Sequence, residues 1–361
     1  MSVINSFPIN DGYRMPGEFE PHSGCILIWP FRGDSWPHGG RAARKIFCEL
    51  VSIIASSEDV LVCVAPGEQD KAAAMLPAGR TFIVETDDSW ARDYAPTFVS
   101  NGSSLRGINW EFNAWGGEYD GLYDSWDRDN ALAPALCREL GIDMYNAGFV
   151  MEGGAFHTDG EGTVITTESC LLSPGRNPQL SKAEIEHLLC SYLHCSKVIW
   201  LPLGIIDDET NGHVDNLCAF TAPGKVVLSF PEDPADPQYK SSAAALDILG
   251  KERDAKGRIP EVTLLPMPKP ALVTEYECAG LDLLNGQPVR HPGERLAASY
   301  ANFYISNSTV IVPGFNDEND ETARRILEKQ FPDREVVTLQ SRDFLIGGGN
   351  FHCITQQIPK V

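Results

Sequence analysis

Short apolar runs alternate with amphipathic stretches along almost the whole chain, and this alternation restricts it to a mixed α/β architecture. Ala42, Ile46, Leu50, Val51 and Ile54 recur at helical spacing and predict a helix over residues 41–54, between strand-like runs at 25–30 and 60–66. Residues 127–140, 181–193, 241–250 and 318–330 carry the same helical signal, with strand-like runs nearby at 198–203, 225–230 and 309–312. Ser181, three residues before Glu184, predicts a capping box at the start of one of these helices. Strand, turn, helix and strand recur about every fifty to eighty residues, a spacing suited to units stacked or circled around one axis. Periodicity alone does not choose between a doubly wound sheet and a propeller. No low-complexity linker interrupts the pattern, so residues 1–361 are expected to form one domain.

Composition narrows the classes of function. With 43% hydrophobic and 22% charged residues, the 361-residue chain has material for a large core. Its 29 basic and 50 acidic side chains give a formal net charge of -21, which repels nucleic acid and anionic membranes and favours cationic ligands. No apolar run reaches the roughly 18 residues of a membrane span, and residues 1–14 lack the pattern of a signal peptide, so a cytoplasmic location is expected. None of the ten cysteines forms a Cys-x-x-Cys pair. Free buried thiols are expected for all but one of them, including Cys190 and Cys195 at a helix end.

Unusual polar residues gather at the ends of four separate apolar runs. They are Asp87-Asp88-Ser89-Trp90-Ala91-Arg92-Asp93, Met151-Glu152-Gly153-Gly154, the stretch from Asp207 through His213 to Asp215, and Gly347-Gly348-Gly349-Asn350-Phe351-His352-Cys353. Strand ends are where α/β folds converge on a site. His213 and Asp215 are two apart, so on an extended strand both would face one side, where one moves protons and the other holds a cation. A packed histidine beside a surface aspartate fits the same spacing. Three glycines before Cys353 remove side chains from the approach to its thiol, although an inert buried cysteine beside a turn would look alike.

These clusters do not stand alone. Together with Arg14-Met15-Pro16-Gly17-Glu18-Phe19-Glu20-Pro21-His22, Phe112-Asn113-Ala114-Trp115-Gly116-Gly117 and Arg295-Leu296-Ala297-Ala298-Ser299-Tyr300, they resemble the agmatine deiminase family of guanidine-modifying enzymes over nearly the whole chain, as far as Gln357. The resemblance implies a five-bladed α/β propeller of the pentein type with pseudo-fivefold symmetry, and hydrolysis of agmatine to N-carbamoylputrescine and ammonia. It implies Cys353 as nucleophile, His213 as general acid and base, Glu152 as partner of His213, and Asp93 and Asp215 as a clamp on the guanidinium. It also implies no metal or other cofactor and a homodimer or homotetramer. Two stretches depart from the family pattern: Tyr94-Ala95 after the clamp, where a Thr-Gly pair is usual, and Ser173-Pro174-Gly175, read as loop variation.

The implied residues suit the chemistry. A guanidinium is planar, charged and resonance-stabilised, so its carbon resists attack until carboxylates hold the charge and a leaving nitrogen is protonated. A thiolate then adds to give a tetrahedral adduct, ammonia departs, and a covalent thiouronium remains for water to attack. The thiolate could form beside His213 or on arrival of the cation. The far ammonium of agmatine calls for acids or aromatic faces, for which Trp90, Trp115, Asp207, Asp208 and Glu209 are candidates. Arg92, on a strand, would point away from Asp93. An amidinotransferase would use the same residues but pass the amidine to an amine, and a guanidinium-binding protein would need only the clamp.

Overall fold

The computed structural model describes residues 1–361 as a mixed α/β fold in which one connectivity recurs. Two antiparallel strands are followed by a helix and a third strand, which returns parallel to the second. Thr97–Ser100, Leu105–Glu111, the helix Leu132–Glu139 and Asp143–Val150 make one such unit. Phe156–Thr158, Thr163–Thr167, the helix Lys182–Leu193 and Lys197–Leu201 make the next. Cys218–Ala222, Lys225–Ser229, the helix Tyr239–Leu249 and Glu261–Leu265 follow, then Tyr304–Ile305, Thr309–Gly314, the helix Asp320–Gln330 and Glu335–Gln340. The last unit joins both ends of the chain: Thr355–Pro359 pairs antiparallel with His22–Ile28, which is followed by the helix Arg41–Ile54 and the parallel strand Asp59–Val64. Val3–Ile4 and Arg80–Ile83 add outer strands, and Ala271–Leu272 pairs with Arg295–Leu296 as a separate ribbon.

Local chemistry explains these elements. Cys25, Ile26, Leu27, Ile28 and Trp29 are all fully buried, as expected where parallel pairing and a covering helix bury both faces of a strand. The helix Arg41–Ile54 turns Ala43, Phe47, Leu50, Val51 and Ile54 onto the same core. Truncating the fully buried Phe47 to alanine should cost roughly 3–5 kcal/mol. The capping box is present: Ser181 Oγ accepts from Glu184 N at 3.3 Å, and Glu184 Oε2 accepts from Ser181 N at 2.8 Å.

Two expectations change. The helix read over 127–140 is divided into Asp127–Asn130 and Leu132–Glu139, because Pro134 has no N–H to bond back to residue 130 and its ring crowds that carbonyl. All ten cysteines are free, but Cys48, Cys190 and Cys278 are only half-buried. No helix is long and apolar enough to cross a membrane.

The connections that leave the last strand of each unit, which is the outer strand Arg80–Ile83 in the unit joining the chain ends, carry the polar clusters. They span 84–96, 151–155, 202–217, 266–303 and 341–354, and all four clusters flagged in the sequence lie within them.

Candidate active site

Four of these connections deliver Asp93, Glu152, His213 with Asp215, and Cys353 to one place. Asp93 lies on the one-turn helix Ala91–Tyr94, and His213 caps the short turn Val214–Asn216. Neither stretch is a strand, so the common side of His213 and Asp215 comes from the turn rather than from a two-residue repeat. Arg92, also helical, still points away from Asp93: its Nη1 donates to Glu18 Oε1 at 3.0 Å and to Gln357 Oε1 at 2.6 Å. Cys353 sits in a turn closed by Ile354 N donating to Asn350 O at 3.2 Å, just ahead of Thr355–Pro359.

Two glycines leave the space in which these groups meet. A Cβ on Gly154 would lie 2.6 Å from His213 Nδ1, 2.9 Å from Asp93 Oδ1 and 3.0 Å from Asp215 Oδ2. Three polar atoms thus close on a position with no room for a side chain, and only glycine lets them come together there. A Cβ on Gly349 would come within 2.6 Å of the Trp90 ring and 3.0 Å of Cys353 Sγ. The cavity beside them, about 750 Å³ out to its open mouth, is lined by Trp90, Asp93, Trp115, Glu209, His213 and Cys353 among others. Asp215 and Glu152 stand immediately behind that lining. Asp215 Oδ2 is 3.6 Å from Cys353 Sγ, and Glu152 Oε2 is 3.8 Å from His213 Nε2.

Burial sets the electrostatics, and the neighbours decide the sign. Burial pushes Asp93 up, reinforced by Asp215 and Glu152 and opposed by His213, and leaves it at about 6. Burial also pushes Asp215 and Glu152 up, but His352 outweighs it at Asp215 and Arg176 with His213 outweighs it at Glu152, so both stay below the usual carboxylate range. Burial disfavours the His213 cation, yet Asp93, Cys170 and Glu152 hold its pKa well above the ordinary value. The Cys353 thiol is pushed well up by burial and then by Asp215 and Asp93. These directions favour a protonated thiol and an imidazolium on the wall of one cavity.

The far wall differs from the expectation in part. Trp115 packs edge-on against Phe112 and Tyr123 and donates from Nε1 to Asp93 Oδ2 at 2.8 Å, so it bonds to an acid of the cavity wall. Trp90 stacks on Trp36 at 5.2 Å, and both indoles donate to the buried Asp88 at 3.0 Å. Asp208 does not line the cavity: Oδ1 accepts from Thr210 N and Oγ1 at 2.9 and 2.6 Å, and Oδ2 accepts from Asn216 at 3.1 Å. Its carboxylate holds the loop together. Asp207 is exposed, while Glu209 lines the cavity and forms a forked pair with Arg290 at 2.9 and 2.7 Å.

Sequence reasoning assigned no role to several groups at this site. Arg176 lies 2.7 Å from Glu152 Oε1 and follows the Ser173-Pro174-Gly175 stretch read as mere loop variation. Asn302 Nδ2 is 3.2 Å from Cys353 Sγ, and it comes from the remaining connection. The signal was available: four of these connections carried a polar cluster, and the fifth ran past Ser299 and Tyr300 to Asn302. At the other departure from the family pattern, Tyr94-Ala95, the Tyr94 hydroxyl accepts from Trp90 N at 2.9 Å.

Two groups of donors have a spacing that a metal could use, Glu18 with His157 and His352, and Glu152 with Cys170 and His213. Each already faces a guanidinium, Arg92 at 3.0 Å from Glu18 and Arg176 at 2.7 Å from Glu152. That cation supplies the charge a metal would bring, so neither donor set fits one.

Comparison with known proteins agrees with this geometry. The sequence profile of the Porphyromonas-type peptidyl-arginine deiminase family matches residues 14–359. A Listeria monocytogenes protein provisionally named agmatine deiminase 2 is 48% identical over 362 residues, covering 99% of this chain and 98% of the relative. The agmatine deiminase of Enterococcus faecalis, in a structure described as catalysing its reaction, superposes with a TM-score of 0.96 at 43% identity and 99% coverage of both chains. A cysteine-to-serine variant of Campylobacter jejuni agmatine deiminase with substrate bound superposes at 0.84, with 26% identity and 96% coverage of both chains. Matched from end to end in sequence and in fold, the chain belongs to the agmatine deiminase family, hydrolases that act on the C–N bonds of linear amidines.

Proposed function

We propose that this chain hydrolyses agmatine to N-carbamoylputrescine and ammonia, with Cys353 as nucleophile and His213 as the group that moves protons. The observation that carries the reading is the convergence of His213, Asp93 and Asp215 against Gly154, next to the cavity that Cys353 lines. A guanidinium entering that cavity meets Asp93 on its wall, with Asp215 directly behind, where one carboxylate oxygen, Oδ1, is buried without a partner. Its charge cancels the two acids that hold the Cys353 proton, so the thiol gives that proton to solvent and the thiolate forms on arrival of the substrate.

The sulfur then bonds to the guanidinium carbon, and protonated His213 gives its proton to the departing nitrogen, which leaves as ammonia. Neutral His213 takes a proton from water, the hydroxide adds to the thiouronium carbon, and the C–S bond breaks to return the thiolate. Arg176 holds Glu152 in the acid pair that favours the charged form of His213. At the far end of the cavity, Glu209 and the face of Trp90 are the groups that meet the substrate ammonium. Residues 1–361 act as one catalytic domain, and the five units circle a common axis as the blades of a propeller. Pairing of the C-terminal strand with His22–Ile28 supports that closure.

The order of departure separates a deiminase from an amidinotransferase. Acid quench during agmatine turnover should leave about 113 Da on the Cys353 peptide, since ammonia has gone and the carbon tail remains. A gain of about 42 Da, with putrescine released in equal amount, would mean that the amine left first and would overturn the reading. Ammonia release from agmatine and arginine, assayed side by side, tests the substrate.

A further inference from the structure

Directly behind Asp215 lies a second buried histidine that the reaction above does not use. His352 Nδ1 is 2.8 Å from Asp215 Oδ2, and its Nε2 is 3.0 and 2.9 Å from the two oxygens of Glu18. All three side chains are buried. We propose that His352 is a fixed imidazolium, a positioning residue that holds Asp215 ionised and turned with Oδ2 toward Cys353 and Oδ1 unpaired. The proposal rests on the assignment of Cys353 and Asp215 made above.

Donor counting requires an extra proton in this row. A neutral imidazole has one donor and one acceptor, while an ionised carboxylate only accepts, so two carboxylates cannot both bond to a neutral ring. The proton belongs to His352, to Glu18 or to Asp215. Glu18 is the counter-ion of the fully buried Arg92, whose Nη1 is 3.0 Å away, and protonating Glu18 would leave that guanidinium without a full charge partner. Asp215 faces His213 and the thiol on its other side, and it is held below the usual carboxylate range chiefly by its bond to His352 once burial is set against it. The ring is the remaining place. Burial and Arg92 push His352 down, and Glu18 and Asp215 outweigh them.

The neighbouring histidine does not compete for that proton. His157 stacks on His352 at 5.8 Å and accepts the Phe220 N–H on Nδ1 at 3.3 Å, which leaves its own proton on Nε2, 3.6 Å from Glu18. A neutral His157 therefore satisfies both contacts. Two anions, Glu18 and Asp215, balance two cations, Arg92 and His352. The arrangement fixes Asp215: Oδ2 is bound by His352 and lies 3.6 Å from Cys353 Sγ, and Oδ1 is left without a partner.

The test begins with a readout independent of turnover. In full-length protein labelled with nitrogen-15 in histidine, the His352 signals, identified by their loss in His352→Gln, should show both ring nitrogens protonated at pH 7 and remain so to at least about pH 8. A neutral ring at pH 7 overturns the proposal whatever the enzyme does. Glu18→Gln keeps a partner for the ring and removes its charge, and the ring should then lose its proton at a lower pH than in the parent; an unchanged titration overturns the proposal. In kinetics, His352→Gln should raise KM for agmatine by at least about tenfold, with a smaller loss in kcat and an acid limb of kcat/KM displaced to higher pH. Parental KM and pH profile would overturn it. If Cys353→Ala still turned over, the catalytic assignment would fall, while the nitrogen-15 result would still report the charge on His352.

Discussion

Two histidines sit within one small region, each fully buried and each between two carboxylates, yet they are held very differently. His213 stands with Nδ1 3.9 Å from Asp93 and Nε2 3.8 Å from Glu152; Nε2 bonds to nothing, and Nδ1 lies against Gly154. The His352 ring is gripped at 2.8 and 2.9 Å and lies against the ring of His157, while its backbone carbonyl accepts from Arg92 Nε at 3.3 Å. At hydrogen-bond distance on both sides, an imidazolium is a fixed charge. Kept charged by nearby acids but not tied to them, it can give a proton away and take another. The same residue type thus serves either purpose according to how closely its acids approach.

Both proposed roles serve a reaction that begins at the Cys353 sulfur, so removing it is expected to give the largest effect. Cys353→Ala is expected to abolish turnover while agmatine still binds by calorimetry; turnover within tenfold of the parent would separate the thiol from the reaction. The division between the two histidines is sharpened next. His213→Gln should lower kcat by about a thousandfold with little change in KM, in contrast to the KM effect expected at His352, and matching signatures would erase the distinction. Asp93→Asn and Asp215→Asn should each cost at least about a hundredfold in kcat/KM, since each deletes a charge-assisted contact to a buried cation. Near-parental kinetics in either variant would take that residue out of the clamp.

The acids also separate by pH. Asp93 lies at about 6, so it takes a proton as the pH falls through that value and can no longer pair with a cation. The kcat/KM profile should therefore decline on the acid side near pH 6. In the complex the bound cation favours the carboxylate, so the limb of kcat should lie lower. Coincident limbs would assign the titration to another group. The smallest effect is expected from Trp115→Phe, which keeps the ring packing but removes the 2.8 Å donor to Asp93. Its kcat/KM should fall by less than about tenfold and the acid limb should move to higher pH, because the lost bond favoured the ionised acid.

Local signals in the chain were enough for the element pattern. The apolar periodicity of residues 41–54 depends on neighbours within a few turns, and the helix Arg41–Ile54 has those bounds. The capping box at Ser181 is equally local, and the long motifs around Asp93, Glu152, His213 and Cys353 were enough to name the family. What escaped was the pairing between distant segments. Glu18 and His352 are 334 residues apart, and Asn302 and Cys353 are 51 apart, so no periodicity links them. Asp208 looked like a free acid, but the turn back to Thr210 and Asn216 engages both of its oxygens. The sequence alone determined which residues could do the chemistry, because residue type and local pattern are written along the chain. Only the tertiary structure decided which histidine is bound and which is loose. That choice is a difference of roughly 1 Å in donor–acceptor distance, set by how segments from opposite ends of the chain pack together.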